Sequence, residues 1–494
     1  MLNNHHVHVA VVGTGFAGLG MAIKLKQEGI EDFVVLERAG EVGGTWRDNT
    51  YPGCACDVPS HLYSFSFAPN PNWSRSFSPQ PEIKAYLQGC AERYGLMPHI
   101  RFHHEMRDCR WDAEAQNWVI DTSQGTYTAS FVVAGTGPLS EPSIPALPGM
   151  ETFAGTTFHS ATWDHDHDLT GEKVAVIGTG ASAIQFVPQI QPQVDQLTVF
   201  QRTAPWIMPR RDRAVAAGRR RLFRRLPSAQ LLVRALIYWS RELSVLAFMR
   251  PKLMEYGEKM ARRHLESQVP DPALRAKLIP NYSMGCKRVL LSDDYYPALA
   301  QPNVDVVTAG IKEVRPHAIV TADDVEHPVD TIILGTGFHV TDMKIAEQIR
   351  DGEGVALAER WKGSPQAYRG TTVAGYPNLF LMVGPNTGLG HNSIVFMIES
   401  QVNYIADCLR HLKHHGLDVV DAKPEVQAQY NAGIQQRMEG TVWTSGGCAS
   451  WYLDANGRNT TLWPGFTWPF RSELRTFDPA AYTVTARASE RVSV

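Results

Sequence analysis

Two glycine clusters, each followed at the same distance by a residue of opposite charge, are the parts of this 494-residue chain best suited to chemistry. The first, VHVAVVGTGFAGLG, places Gly13, Gly15 and Gly18; the second, KVAVIGTGASAIQF, places Gly178, Gly180 and Ala183. A turn of this spacing bends tightly, lets the backbone approach a pyrophosphate, and packs the next helix closely on its strand. Free N–H groups at the helix start would hold the anion. Twenty-four positions separate Gly13 from Glu37, and the same number separates Gly178 from Arg202. An acid there suits an unmodified ribose and an arginine suits a 2′-phosphate, so the order read is FAD first, NADPH second.

The other candidate chemistry, thiol exchange, is disfavoured. Cys54 and Cys56, in YPGCACD, are separated by one residue, which is not the spacing of a redox pair. Seven scattered cysteines do not resemble a secreted disulfide framework, and a reducing cytoplasm is the expected location. No segment at the start of the chain has the basic and apolar regions of a signal peptide. No metal-ligand spacing stands out.

The elements that must position these residues follow from periodicity. Each glycine turn joins a short apolar strand to a helically patterned run, and a second strand (DFVVLE, LTVFQRT) carries the charged residue at its end. That is an α/β arrangement with two Rossmann-like units. With 44% hydrophobic and 20% charged residues and a net charge of −3, the chain is expected to be a soluble globular protein of two or three domains, with no nucleic-acid partner implied. One stretch departs from this balance: PRRDRAVAAGRRRLFRRLP is strongly basic, and the apolar helical run LLVRALIYWSRELSVLAFM follows it. Arg234, Arg241 and Glu242 inside that run, each costing roughly 3 kcal/mol at a bilayer centre, argue against membrane crossing. Two readings remain: a basic amphipathic surface weakly drawn to anionic membrane, or a solvated arginine face above a buried helix.

Between the two glycine turns lies FAGTTFHSATWD. It resembles the fingerprint F-x-G-x-x-x-H-x-x-x-W-[PD] of single-component Baeyer-Villiger monooxygenases through Phe153, Gly155, His159, Trp163 and Asp164. The resemblance extends to GGTW (43–46), YPGCACD (51–57), GCKR (285–288), LGTGF (334–338) and GPNTGLGHNS (384–393). It implies a flavoprotein that uses NADPH and O2 to insert oxygen beside a ketone carbonyl, giving an ester or lactone through a peroxide adduct of the flavin. N- or S-oxygenating flavin monooxygenases are the alternative. Following the Pro-rich PLSEPSIPALPGM, the fingerprint is read as a domain connection. Its histidine and tryptophan would couple the position of the nicotinamide domain to flavin chemistry.

By the same resemblance, Arg288 is the catalytic cation and Asp57 the acid that orients it. Lys287 joins Arg202 at the NADP phosphate, and Trp451 meets the nicotinamide ribose. Trp46 and Tyr63, the latter expected on a YSFSF strand, flank the flavin. Ala17, Thr45 and Met106 complete the FAD contacts; Thr179, Ala181, Ser182, Gln185 and Thr203 complete those to NADP. The implied division is an FAD domain over 1–145 and 345–494, and an NADP domain over 146–344 with a helical insertion at about 209–284. The partners are a small ketone and O2.

Overall fold

In the computed structural model, which describes residues 5–448 and 450–486, the two glycine turns open two separate sheets, the first mixed because β5 runs antiparallel to both its neighbours, and the second parallel. β1 (His5–Val12) leads through the first turn into α1 (Phe16–Gln27) and on to β2 (Phe33–Leu36). The last four residues of β1 and all of β2 are buried, as expected for parallel strands covered on both faces. α2 (Thr45–Asp48) and α3 (Gln80–Arg93) come next, then β3 (Ile100–Arg101), β4 (Met106–Asp112), β5 (Asn117–Thr122) and β6 (Gly125–Ala134). The sheet runs β4-β5-β6-β1-β2-β3, with Ile349–Arg350 outside β4 and Leu379–Leu381 beside β6. Late strands thus return to a sheet begun at residue 5. Helix Ile394–His415, capped by Ser393 and ended by Gly416 in the left-handed region, packs against α1.

The second sheet is parallel throughout. β7 (Thr156–His159), β8 (Lys173–Ile177) and β9 (Gln196–Phe200) combine with strands Val304–Val307 and Thr331–Leu334 in the order Val304–Val307, β9, β8, Thr331–Leu334, β7. α4 (Ala183–Ile190) follows its glycine turn. The segments joining the sheets are tied to each other: Ser143 N donates to Gly337 O at 2.8 Å, and His339 N donates to Glu141 O at 3.0 Å.

Three expectations change here. The fingerprint is not only a connection, because TTFH forms β7 and pairs with Thr331–Leu334 from Thr156 to His159. A side chain at Gly155 would put its Cβ 2.0 Å from Asp330 O, so glycine is what lets this edge strand dock. Four residues are too few to display a strand period in sequence. YSFSF forms turns instead of a strand. Its polar groups are taken by side chains: Ser66 N and Oγ donate to Glu399 at 2.5 and 2.9 Å, and Arg234 Nη1 donates to Ser64 Oγ at 3.2 Å. Lastly, Cys286 and Cys448, 162 positions apart, form a disulfide, where scattered cysteines and an expected reducing cytoplasm had pointed to no disulfide framework. The count and spacing of cysteines carry no sign of a pair made by tertiary proximity.

Residues 217–278 are helical: α5 (Ala217–Arg225), α6 (Pro227–Met249), α7 (Pro251–Gln268) and α8 (Pro272–Leu278). The last three each begin with a proline, where the missing N–H has no intrahelical partner to lose. Among the described residues no helix is long and apolar enough to cross a membrane.

Candidate functional site

A cavity of about 1260 Å³ extends from one glycine turn to the other. At the first, Gly13 has φ +98°, and a Cβ on Gly18 would lie 1.9 Å from Gly13 O. Gly18 therefore stands behind the cavity wall in a packing role, while Gly13, Gly15 and Ala17 line it. Glu37 is buried and fully engaged. Its carboxylate accepts from Thr14 N (3.0 Å), Thr14 Oγ1 (2.5 Å) and Ala39 N (2.9 Å), and it pairs with Arg47 at 2.9 Å. A ribose hydroxyl would have to displace one of these donors, Thr14 Oγ1 being the one free to rotate. Thr45 opens α2, and Trp46 Nε1 donates to Tyr63 OH at 3.1 Å, with the rings edge to face at 5.6 Å. Met106, at the start of β4, lines the same region.

The second turn repeats the geometry. Gly178 has φ +111°, and a Cβ there would approach Gly335 O to 2.3 Å. A Cβ added at Gly335 would lie 3.4 Å from Ala183 Cβ, which stands behind the wall like Gly18. Thr179, Gly180, Ala181, Ser182 and Thr203 line the cavity, with Thr179 Oγ1 donating to Thr203 O at 3.3 Å. Gln185 also reaches the wall, but its amide clasps Ala55, accepting from Ala55 N (3.2 Å) and donating to Ala55 O (3.0 Å). It thereby ties α4 to YPGCACD. Arg202 is exposed at the cavity, and Lys287 Nζ lies 5.1 Å above the Tyr282 ring. Burial, then the charge of Arg202, lowers the pKa of Lys287. Among the described residues neither cation has an ion-pair partner. Two cations that repel each other without an anion make a site for one.

Arg288 and Asp57 meet between the turns. Arg288 Nε and Nη2 both donate to Asp57 Oδ2, at 2.8 and 2.5 Å. Side-chain exposures of 32% and 29% reflect a position on the wall of a deep cavity. Burial pushes the Asp57 carboxyl up, but the guanidinium prevails and holds it below the usual range. Asp57, in turn, raises the pKa of Arg288. The Cys286–Cys448 disulfide anchors this loop to the segment bearing Trp451, which lines the cavity, is 43% exposed and stacks edge-on against Tyr452 at 4.3 Å. Cys54 and Cys56 are buried and unbridged, and burial pushes the Cys54 thiol up to about 12. Neither is poised for exchange.

The fingerprint residues lie outside the cavity lining. His159, buried at the end of β7, accepts at Nδ1 from Ala161 N at 3.1 Å and faces Phe338, a lining residue, at 5.8 Å between ring centroids. Burial lowers its pKa. Trp163 packs against Phe158 and Phe186, Phe153 is partly buried beneath the second sheet, and exposed Asp164 closes a local turn by accepting from Asp166 N at 3.0 Å.

The sequence marked Glu242 only as a charge opposed to membrane crossing, not as the centre of a buried network. This carboxylate of α6 has no exposed side-chain surface, and it accepts from Asn392 Nδ2 (2.7 Å), Thr467 Oγ1 (2.9 Å) and the backbone N of Thr467, with His391 at 3.7 Å. Asn392 lines the cavity. A lone acid in an apolar helical run was the available signal, since such a group is rarely buried without partners.

Residues 10–217 match the family described as pyridine nucleotide-disulphide oxidoreductase. A Baeyer-Villiger monooxygenase of Streptomyces coelicolor is 57% identical over 491 residues, covering 99% of this chain and 95% of the relative. Among solved structures, a closed crystal structure of cyclohexanone monooxygenase superposes with a TM-score of 0.88 at 28% identity, covering 98% of this chain and all of that one. An oxidised steroid monooxygenase bound to NADP gives 0.86 at 28% identity, covering 97% and 99%.

Proposed function

The chain belongs to the Baeyer-Villiger monooxygenases, and we propose that Arg288, held by Asp57, is the cation that serves the reacting oxygen in its cavity. The reaction uses NADPH and O2 to insert one oxygen atom beside a ketone carbonyl, giving an ester or lactone. Bound FAD supplies the electron transfer and oxygen activation. The residues present fit both cofactors: two glycine cradles that a Cβ would fill, and a pair of cations without an anion. Heteroatom oxygenation is not favoured.

The observation that carries this reading is the arrangement of the Arg288–Asp57 pair. Both guanidinium bonds go to one carboxylate oxygen, and Arg288 Nη1 makes no hydrogen bond among the described residues, so its N–H groups are left for substrate or cofactor. A cation fixed on the cavity wall stabilises negative charge as it develops at the reacting oxygen, with little reorganisation. Arg202 and Lys287 would hold the 2′-phosphate of NADPH, and Glu37 the first cofactor's ribose. Trp46 and Tyr63 would wall the flavin, and Trp451 the nicotinamide ribose. The return of Leu379–Leu381 to the first sheet supports reading 1–145 with 345–494 as the FAD unit, and 146–344 as the NADP unit.

Arg288→Ala tests the assignment. Anaerobic bleaching of the flavin by NADPH should persist, while ester formation falls by about 10²–10³, the usual loss for a transition-state donor. Ester formation at the wild-type rate would remove Arg288 from the reaction.

A further inference from the structure

α6 is amphipathic in reverse. Its three charged residues face the protein: Arg234 Nη1 donates to His61 O and Leu62 O at 2.9 and 3.1 Å, Glu242 is buried in its network, and Arg241 is partly buried. Facing outward are Leu232 (62% exposed), Leu236 (64%), Trp239 (52%), Leu243 (59%) and Leu246 (37%). Their spacing of four, three, four and three puts all five on one stripe of the helix, and the outward residues between them are Ala and Ser. A buried helix beneath a solvated arginine face is therefore not what forms. Large contiguous apolar faces of this kind mark an interaction site.

Charge identifies the occupant. Between residues 213 and 254 there are ten arginines and lysines and a single acid, the buried Glu242. Arg219, Arg221, Arg224 and Arg225 on α5, and Arg250 and Lys252 where α6 meets α7, are exposed and have no ion-pair partner among the described residues. A second copy of the chain would bring the same cations to the same seam. A leucine and tryptophan stripe with uncompensated cations at both ends fits the headgroup and acyl boundary of an anionic bilayer, where such a helix lies flat.

We propose that the outward face of α6, flanked by the cations of α5 and the start of α7, docks the protein peripherally on anionic lipid surfaces. The inference stands independently of the reaction assigned above. The test is flotation of the full-length, FAD-loaded protein with phosphatidylcholine vesicles, with and without phosphatidylglycerol, at low and high salt. Wild type should float only with phosphatidylglycerol present, and high salt should release it. Arg224→Glu/Arg225→Glu should weaken partitioning by roughly thirtyfold or more, from the loss of two surface cations alone. Leu236→Glu should abolish flotation with FAD content and ketone turnover unchanged. Failure of wild type to float overturns the proposal, as does flotation that neither variant weakens. A salt-resistant dimer that Leu236→Glu dissociates, without flotation, would assign the face to a second copy and equally overturn it.

Discussion

Arg202 and Lys287 approach one another without an intervening carboxylate, so their joint removal from the cavity has a computable effect on cofactor choice. A hydrogen bond to a charged group contributes about 1.5–3 kcal/mol, which is about tenfold to 150-fold in kcat/KM. Arg202 is exposed and screened by solvent, so Arg202→Ala should fall at the low end, about tenfold for NADPH. Lys287 is half-buried, and Lys287→Ala should fall towards the upper end, about 100-fold. NADH has no 2′-phosphate and gains nothing from either cation, so its kcat/KM should stay within about twofold in both variants. Because burial and Arg202 lower the pKa of Lys287, the KM for NADPH should rise with pH from below the ordinary lysine range. Lys287→Arg should remove that alkaline rise, since a guanidinium does not titrate there. Stopped-flow flavin reduction with both cofactors provides the rates. Equal losses for NADPH and NADH in Arg202→Ala would refute the phosphate site.

The disulfide should appear in non-reducing peptide maps as a peptide joining Cys286 to Cys448, and Cys286→Ser should cost about 2–4 kcal/mol of stability in chemical denaturation. Recovery of both as free thiols would remove the tether between the Arg288 loop and Trp451. Glu242→Gln should cost about 3–5 kcal/mol at neutral pH by dismantling a buried charged network. Burial raises the carboxyl of Glu242, but His391, Thr467 and Asn392 hold it below its ordinary value. Its contribution is then complete above the unfolded carboxylate range and lost as pH falls through the native pKa, so wild type and variant should converge in acid. A gap that stays constant down to strongly acid pH would contradict this. Gly155→Ala, which drives a Cβ to 2.0 Å from Asp330 O, should lower stability by at least about 1–3 kcal/mol in thermal or denaturant melts. An unchanged melt would show that β7 docks without needing glycine.

What could be read in the sequence and what could not divide along one physical line. The glycine turns, their strands and the charges at Glu37 and Arg202 are local: turn geometry and strand period act over a few residues and leave a pattern. The Arg288–Asp57 pair spans 231 positions, the Glu242–Thr467 bonds 225, and the disulfide 162. Such contacts are made by packing and leave no periodic trace, so only family resemblance pointed to the first, a lone acid in an apolar run hinted at the second without naming its partners, and nothing pointed to the third. Glu37 shows the limit of even a local pattern. Its position was legible, but the pairing of its carboxylate with Arg47 depends on where α2 starts after GGTW, which spacing alone does not give. The YSFSF alternation misled because a two-residue period also arises when serines and aromatics serve opposite sides of a turn.

Two of these long-range contacts, the Arg288–Asp57 pair and the disulfide, converge on the same loop. In the role proposed for it, Arg288 must be rigid enough to aim at one reacting atom, yet a cation fully consumed by partners has nothing left to offer. The fold meets both demands by asymmetry. Asp57 takes two donors on one oxygen, fixing the guanidinium plane, while Nη1 remains unspent. Asp57 is itself held in YPGCACD, whose Ala55 is clasped by Gln185 from α4, so the orientation of the cation depends on the second glycine turn staying in place. On the other side, Cys286 ties the same loop to the Trp451 segment. The aim proposed for Arg288 and the seat proposed for the nicotinamide cofactor therefore rest on one connected scaffold. Loosening Gln185, for instance by Gln185→Ala, should uncouple NADPH oxidation from ester formation while Arg288 and Asp57 stay in the chain. Unchanged coupling in that variant would show that Asp57 holds its line without the clasp.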